Sequence, residues 1–449
     1  MSQRQSTANR AHDSFIVTRR PAEKAFLVAV EFHREASAWD TDDSLEELAQ
    51  LARTAGAVVV GETKQHLESP NPATYIGKGK VEEIKSLRAG TTYDLVIFDD
   101  ELSPSQQRSL EDALGVRVLD RTGLILDIFA QRARTYEGRL QVELAQYQYF
   151  LPRLTRLWTH LSRQTVGGVG LRGPGETQLE SDRRRIRNRI GDLRRELEHV
   201  RRHRALYRFQ RKDQGFPVVA LVGYTNAGKS TLLNALTGAE VLVEDRLFAT
   251  LDPTTRRVEL PNGQTVLLTD TVGFIQKLPS QVVAAFRATL EELEEADVLL
   301  HVLDITHHNA AEQHRVVLNT LKELGLSTRP MVTALSKVDR FVESDRSDLK
   351  SIQAVVFASF QRLASSIQDT VAISAEQGYG LEQLKETLAT VLARSMLDIT
   401  VCLPYQASEL VTLFHERGTV RSESYTKEGT VISGRIPFRF AEIYKGYAA

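Results

Sequence analysis

The sequence predicts an α/β fold in four parts. They are an N-terminal parallel-sheet domain (residues 23–131), an antiparallel helical hairpin (132–212), a larger α/β domain (213–396) and a small β-α-β-β C-terminal domain (397–449). Three observations carry this. Short apolar runs alternate with stretches of helical periodicity in the first and third parts, the pattern of βαβ units. Two seams of heptad-spaced apolar residues fill the second. The third opens on Gly223-Tyr224-Thr225-Asn226-Ala227-Gly228-Lys229-Ser230, which matches the phosphate-loop pattern G-x-x-x-x-G-K-[ST].

Composition bounds the class before any motif is read. With 449 residues the chain has room for about three domains of roughly 150 residues each, and 42% apolar residues suffice to fill their cores. Cys402 is the single cysteine, which excludes an internal disulfide framework and points to a reducing compartment. No apolar run approaches the roughly 20 residues that span a bilayer. Residues 1–22 are polar and contain arginine but no apolar segment, so a disordered tail is expected there rather than a targeting peptide.

In the first part, residues 26–30, 57–60 and 95–98 read as buried strands, with helices at 45–52 and 81–87 between them. Gly77-Lys78-Gly79-Lys80 precedes the second helix. Such a loop either binds an anion or turns the chain into a solvated helix start, and its composition favours the turn.

The second part changes character. Leu140, Leu144, Tyr147, Leu151, Leu154, Trp158 and Leu161 step by 4, 3, 4, 3, 4 and 3, a narrow stripe along one helix face. Pro152 should kink that helix or remove one of its hydrogen bonds. A second seam follows in Ile186, Ile190, Leu193, Leu197, Val200 and Tyr207. Joined by a link, the two pack as a hairpin. The link, residues 166–175, holds five glycines in ten residues: Gly167, Gly168, Gly170, Gly173 and Gly175. Residues 132–212 contain 19 Arg and 1 Lys against 8 acidic residues, a net of +12, and the rest of the chain carries −13. Eight carboxylates cannot pair twenty cations, so this is more than a salt-bridged helix surface. Gly167, Gly168, Gly170, Arg172, Gly173 and Gly175 at the tip, with Arg183, Arg184 and Arg185 beside it, are the candidate RNA contacts. A hairpin that docks on protein is the rival reading.

The third part carries the chemistry. The glycines of the phosphate loop let backbone N–H groups of Gly223, Tyr224, Thr225, Asn226, Ala227, Gly228, Lys229, Ser230 and Thr231 turn toward an anion at a helix start. Lys229 reaches the β- and γ-phosphates and the Ser230 hydroxyl ligates Mg²⁺. Phe248-Ala249-Thr250-Leu251-Asp252 follows in a polar loop, the place of a first switch. Thr250 is chosen over Thr254 and Thr255 as its metal ligand. Asp270-Thr271-Val272-Gly273 ends a buried strand. There Asp270 holds Mg²⁺ through water, and Gly273 offers its N–H to the γ-phosphate. Lys229, Thr250 and Gly273 are thus the expected catalytic groups, and Ser230, Thr250 and Asp270 the metal set. Ser336-Lys337-Val338-Asp339 stands where a base-reading N-K-x-D belongs, and Ser374-Ala375 completes the base pocket. Asp339 selects guanine through the ring N–H and exocyclic amine. Ser336 is too short for every contact of an asparagine. Ordered this way, the motifs specify a P-loop GTPase domain using GTP/GDP and Mg²⁺. Phe274 occupies the position where small signalling GTPases carry a water-orienting glutamine. Hydrolysis by the chain alone should therefore be slow.

These residues resemble the HflX family of translation-associated GTPases. The most specific segments are Ile76-Gly77-Lys78-Gly79-Lys80, Asp99-Asp100-Glu101-Leu102-Ser103-Pro104-Ser105-Gln106 and Leu140-Gln141-Val142-Glu143-Leu144-Ala145. Arg172-Gly173-Pro174-Gly175-Glu176-Thr177-Gln178-Leu179-Glu180, residues 248–252 and residues 270–274 match as well. The resemblance implies a cytoplasmic GTPase that binds the large ribosomal subunit and ribosomal RNA. It further implies that the chain separates stalled or idle ribosomes, with the glycine tip near the peptidyl transferase centre. The alternative is a GTP-regulated RNA-binding factor in large-subunit assembly. A monomer without a membrane span is expected. Ser336 departs from the family's usual Asn.

Overall fold

A computed structural model describes residues 22–32, 39–154, 178–213, 216–238, 247–277, 293–341, 369–394 and 396–448. The expected tail, save Ala22, lies outside them, as do Trp158, Leu161 and the glycine tip.

In the first domain, strands β1 (Lys24–Phe32), β2 (Val58–Leu67), β3 (Leu95–Phe98) and β4 (Arg117–Asp120) form a parallel sheet of order β2-β1-β3-β4. Helices α1 (Thr41–Thr54) and α4 (Arg121–Arg132) cover one face, and α2 (Lys78–Thr91) and α3 (Pro104–Leu114) the other. Both faces of β1 and β3 are thereby buried, which is why their apolar runs were unbroken. The sequence did not reveal β4 or α3. Residues 117–120 hold only two apolar side chains, and α3 is specified by its ends rather than by periodicity. Ser103 and Gln106 form a reciprocal capping box, and Pro104 opens the first turn. The Gly77 loop is a turn into α2: Gly77 N–H donates to Gln65 Oε1 at 2.9 Å, and Lys80 pairs with Glu83.

The hairpin consists of α5 (Tyr136–Phe150) and α6 (Gln178–Asp213). Tyr136 donates to Glu196, Glu143 pairs with Arg189 at 2.9 Å, and the Leu154 carbonyl accepts from Arg183 at 3.0 Å. Rising positions on one helix meet falling positions on the other, so they run antiparallel. Leu140, Leu193 and Leu197 are buried in the seam, flanked by Leu144, Tyr147 and Val200. Pro152 does not kink α5. It sits in a 3-10 turn, Leu151–Arg153, that follows α5 directly, where its missing N–H does not break a helix interior.

The third domain is a six-stranded sheet of order β10-β9-β8-β5-β7-β6. Its strands are β5 (Val218–Gly223), β6 (Thr254–Glu259), β7 (Thr265–Asp270), β8 (Val298–Asp304), β9 (Met331–Ser336) and β10 (Thr370–Ala372). All pair in parallel except β6, an antiparallel edge strand that follows the first-switch loop and was not read from the sequence. Helices α7 (Lys229–Thr237), α8 (Ala310–Glu323) and α9 (Leu381–Arg394) pack on it.

The last domain pairs β11 (Met396–Leu403), β13 (Thr430–Pro437) and β12 (Thr419–Tyr425) antiparallel in that order, under α10 (Ser408–Arg417). A further helix, α11 (Phe438–Tyr444), corrects the expected β-α-β-β unit. At seven residues it is too short to show a period, but Tyr444 meets Phe414 edge-to-face at 5.5 Å over the buried face of the sheet. Among the described residues no helix is long and apolar enough to cross a membrane.

Candidate active site

The phosphate loop joins β5 to α7. Gly223 closes the strand at φ +154°, and a Cβ there would stand 2.3 Å from the Val302 carbonyl, so no other residue fits. Thr225, Asn226, Gly228, Lys229, Ser230, Thr231, Phe248, Ala249, Thr250, Thr271 and Gly273 line a single cavity. Gly273 is forced by closeness: a Cβ would lie 2.7 Å from Thr225 Cα and 2.9 Å from Lys229 Nζ. The second switch is tied to the loop by its backbone, through Phe274 N–H to Gly223 O and Thr225 N–H to Phe274 O.

Lys229 is buried and donates to the Gly223 and Tyr224 carbonyls at 3.2 and 2.8 Å. Burial lowers its pKa to about 8, against the pull of Asp270. Burial likewise raises the Asp270 carboxyl, although Lys229 and the Ser230 and Thr250 hydroxyls favour its charge. Each of these groups is thus short of counter-charge, which suits a site for a polyanion and a cation. Ser230 Oγ, Thr250 Oγ1 and Asp270 Oδ2 stand 2.8, 2.7 and 2.9 Å from one another. An oxygen octahedron around Mg²⁺ has an edge of about 2.9 Å. Asp270 Oδ1 is buried with no hydrogen-bond partner among the described residues. Ser230 and Thr250 fit a magnesium ion as adjacent ligands, with Asp270 beside them to hold it through water. Thr255 instead bonds Thr269 across β6 and β7, and Thr254 begins β6.

The base end is assembled from three loops. Ser336 is buried at the end of β9, its hydroxyl 3.2 Å from where a Gly228 Cβ would stand. Lys337 donates to the Asn226 carbonyl at 2.9 Å and pairs with Asp304 at 2.7 Å, which holds its stem across the pocket. Asp339 lies in a 3-10 turn and makes no hydrogen bond or ion pair among the described residues. Val338 N–H reaches Ile373 O and joins the two base loops, and within the second the Ser374 hydroxyl accepts from Gln377 N–H. Ala375 packs against the domain core.

Several expected cofactor contacts point elsewhere. Ala227 and Val338 bury their side chains within the domain, and Leu251 and Val272 bury theirs against the first domain. Tyr224 and Asp252 turn the polar ends of their side chains toward other domains. The Tyr224 hydroxyl donates to Glu47 and accepts Gln276 N–H at 2.8 Å. Behind it, Arg121 bridges Glu47 and Asp99, and Asp99 also takes Ser44 and Lys277, at 2.7 and 2.6 Å. Burial lowers the Arg121 pKa to about 10. Burial opposes the Lys277 charge, but Asp99 and Asp100 outweigh it and raise its pKa. Phosphate loop, second switch and first domain thus meet in one buried network. Glu47, Asp99, Arg121, Lys277 and Asp304 were missed in the sequence. Asp99 and Asp304 left a signal, each a carboxylate at the end of a buried strand, as Asp270 is.

The RNA candidates divide. Gly167, Gly168, Gly170, Arg172, Gly173 and Gly175 lie outside the described residues. Arg183 is spent on the Leu154 carbonyl, whereas Arg184 and Arg185 are exposed on α6.

Comparison with known proteins covers the same ground. Family models described as GTP-binding GTPase N-terminal, GTP-binding GTPase Middle Region and 50S ribosome-binding GTPase match residues 42–130, 132–211 and 218–337. A GTPase HflX of Caldanaerobacter subterraneus is 45% identical over 95% of this chain and 94% of its own length. Those of Lacrimispora saccharolytica and Escherichia coli are 46% and 42% identical, each over 92% of this chain and 94% of their own. A solved GTP-binding protein of Sulfolobus solfataricus in complex with GDP aligns over 83% of this chain and 99% of its own at 27% identity. Its TM-score is 0.41, too low to inform domain arrangement. With phosphate loop, metal triangle and base loops in one cavity, and relatives of this identity over nearly the whole chain, the chain is a GTP-hydrolysing, Mg²⁺-dependent member of the HflX GTPase family.

Proposed function

We propose that this GTPase acts in the cytoplasm on the large ribosomal subunit, lays its hairpin on ribosomal RNA, and separates stalled or idle ribosomes into subunits. The observation that carries the reading is the net +12 of residues 132–212, set on a hairpin whose first helix begins at the nucleotide domain's first switch. On α6 the side chains of Arg185, Arg195 and Arg202 are 83%, 81% and 78% exposed, so their charge faces a solvent-side partner. Their single acidic neighbours hold exposed pairs of little worth. That the relatives are named GTPase HflX, and that one matching family is described as 50S ribosome-binding, supports the same partner.

Within the site, Lys229 and the loop amides bind the phosphates, Thr250 closes the first switch, and Gly273 offers its N–H to the γ-phosphate. Ser230 and Thr250 would hold Mg²⁺, which when bound would offset the charge that develops as water attacks and the bond to the bridging oxygen breaks. Phe274 cannot orient that water. Its ring is packed with Val222, Leu293 and Val317 in the domain core. The ribosome orders the switches or supplies the missing group.

The test is density-gradient sedimentation of intact ribosomes incubated with the protein and GDP, GTP or a non-hydrolysable analogue. Conversion of intact ribosomes to subunits with GTP or analogue, and not with GDP, is expected. Binding to free large subunits without any splitting would instead assign the protein to subunit assembly.

A further inference from the structure

Two residues beyond Thr250, the first switch carries a carboxylate with a different partner. Asp252 turns onto the start of α5, where its Oδ2 accepts the backbone N–H groups of Arg134 and Thr135, both at 2.9 Å. Its Oδ1 takes the Thr135 hydroxyl, and that hydroxyl in turn accepts Gly138 N–H at 3.0 Å. Thr135 is the N-cap of α5, and Asp252 caps the cap from more than a hundred residues away. Gly138 makes the approach possible, since a Cβ there would stand 2.5 Å from Asp252 Oδ1. The rest of the segment is seated on the same side. Leu247 and Leu251 join the apolar cluster of the first domain, and Phe248, at φ +56°, meets Phe129 of α4 edge-to-face at 4.9 Å.

One short strip of chain therefore has two attachments. Thr250 faces Ser230 and Asp270 at the metal triangle, and Asp252 faces the first turn of the hairpin. Two residues of backbone reach at most about 7 Å, so a Thr250 that swings away by several ångströms drags Asp252 with it. Pro253 follows and biases Asp252 to the extended backbone that keeps both ends engaged. Anionic capping at a helix start satisfies N–H groups that have no intrahelical acceptor and is favoured by the helix dipole.

We propose that Asp252 is a positioning residue that couples nucleotide state to the hairpin: it caps α5 when the first switch is closed on the metal site, and the cap is lost when Thr250 leaves. The coupling is reciprocal, so whatever steadies the start of α5 also favours the closed switch. It does not depend on what the hairpin binds.

The full chain with Mg²⁺ and two fluorescent nucleotides, GDP and a non-hydrolysable GTP analogue, provides the test. Asp252→Ala is expected to weaken the analogue by about tenfold and GDP by less than about twofold, because the lost cap belongs to one state only. Thr135→Ala should show the same split, and Thr135→Ser, which keeps the hydroxyl, should bind as the unaltered chain does. Amide hydrogen exchange provides the second readout and needs no substitution. In the unaltered protein, residues 134–138 should exchange more slowly with the analogue than with GDP, and Asp252→Ala should abolish the difference. Equal weakening of both nucleotides by Asp252→Ala would overturn the proposal. So would exchange at 134–138 that ignores the nucleotide in the unaltered protein.

Discussion

Ser336 lies where its hydroxyl meets the phosphate loop beside Gly228, and Lys337 is already held by Asp304 and by the Asn226 carbonyl. The loop is therefore tied to the base-reading segment by the lysine, and the serine leaves one amide-type bond unmade. Ser336→Asn should tighten GDP binding by about 1 kcal/mol, roughly fivefold, with no change in guanine preference because Asp339 is untouched. Titration of the variant with GDP and with an adenine nucleotide checks both halves. Unchanged GDP affinity would mean that the shorter side chain is already compensated. The groups nearest the phosphates were legible at this scale because motif spacing fixes backbone geometry: Lys229, Ser230, Thr250 and Asp270 converge as the spacing requires. Tyr224 and Asp252 were not, because the same spacing says nothing about where a side chain outside the pocket turns.

Among the elements, the hairpin shows how far a period carries. Its seam was legible through Leu140, Leu193 and Leu197, whereas the 3-10 turn at Pro152 and the cap from Asp252 depend on local geometry and on a distant residue. The arginine run needs the same separation. Arg183 holds the helices together through the Leu154 carbonyl, and Arg185 is exposed beside Asp182 at 3.8 Å. Arg185→Gln should lower the salt dependence of ribosome binding by about one unit of slope and leave the melting temperature in place. Arg183→Gln should do the reverse, loosening the hairpin with little change in slope. Binding measured over a salt series, beside thermal unfolding of each variant, distinguishes them. Helices α3 and α11 escaped the sequence because one is set by its capping box and the other spans only seven residues.

In the whole molecule, phosphate loop, second switch and first domain are joined through Tyr224, Glu47, Arg121, Asp99 and Lys277, whose pairings span up to 178 residues. Such contacts leave no periodic trace, which is why this junction could not be read from the chain. The junction places the switches against the first domain and the hairpin, while Phe274 puts no hydrogen-bonding side chain at the position where small signalling GTPases orient the attacking water. Single-turnover GTP hydrolysis by the full chain, alone and with large subunits or intact ribosomes, tests this account most directly. Slow turnover alone, rising by about a hundredfold or more with ribosomal particles, is the predicted result, since one positioned group contributes at least that much in related phosphoryl transfers. Fast hydrolysis without ribosomes, or a slow rate that ribosomes leave unchanged, would contradict it.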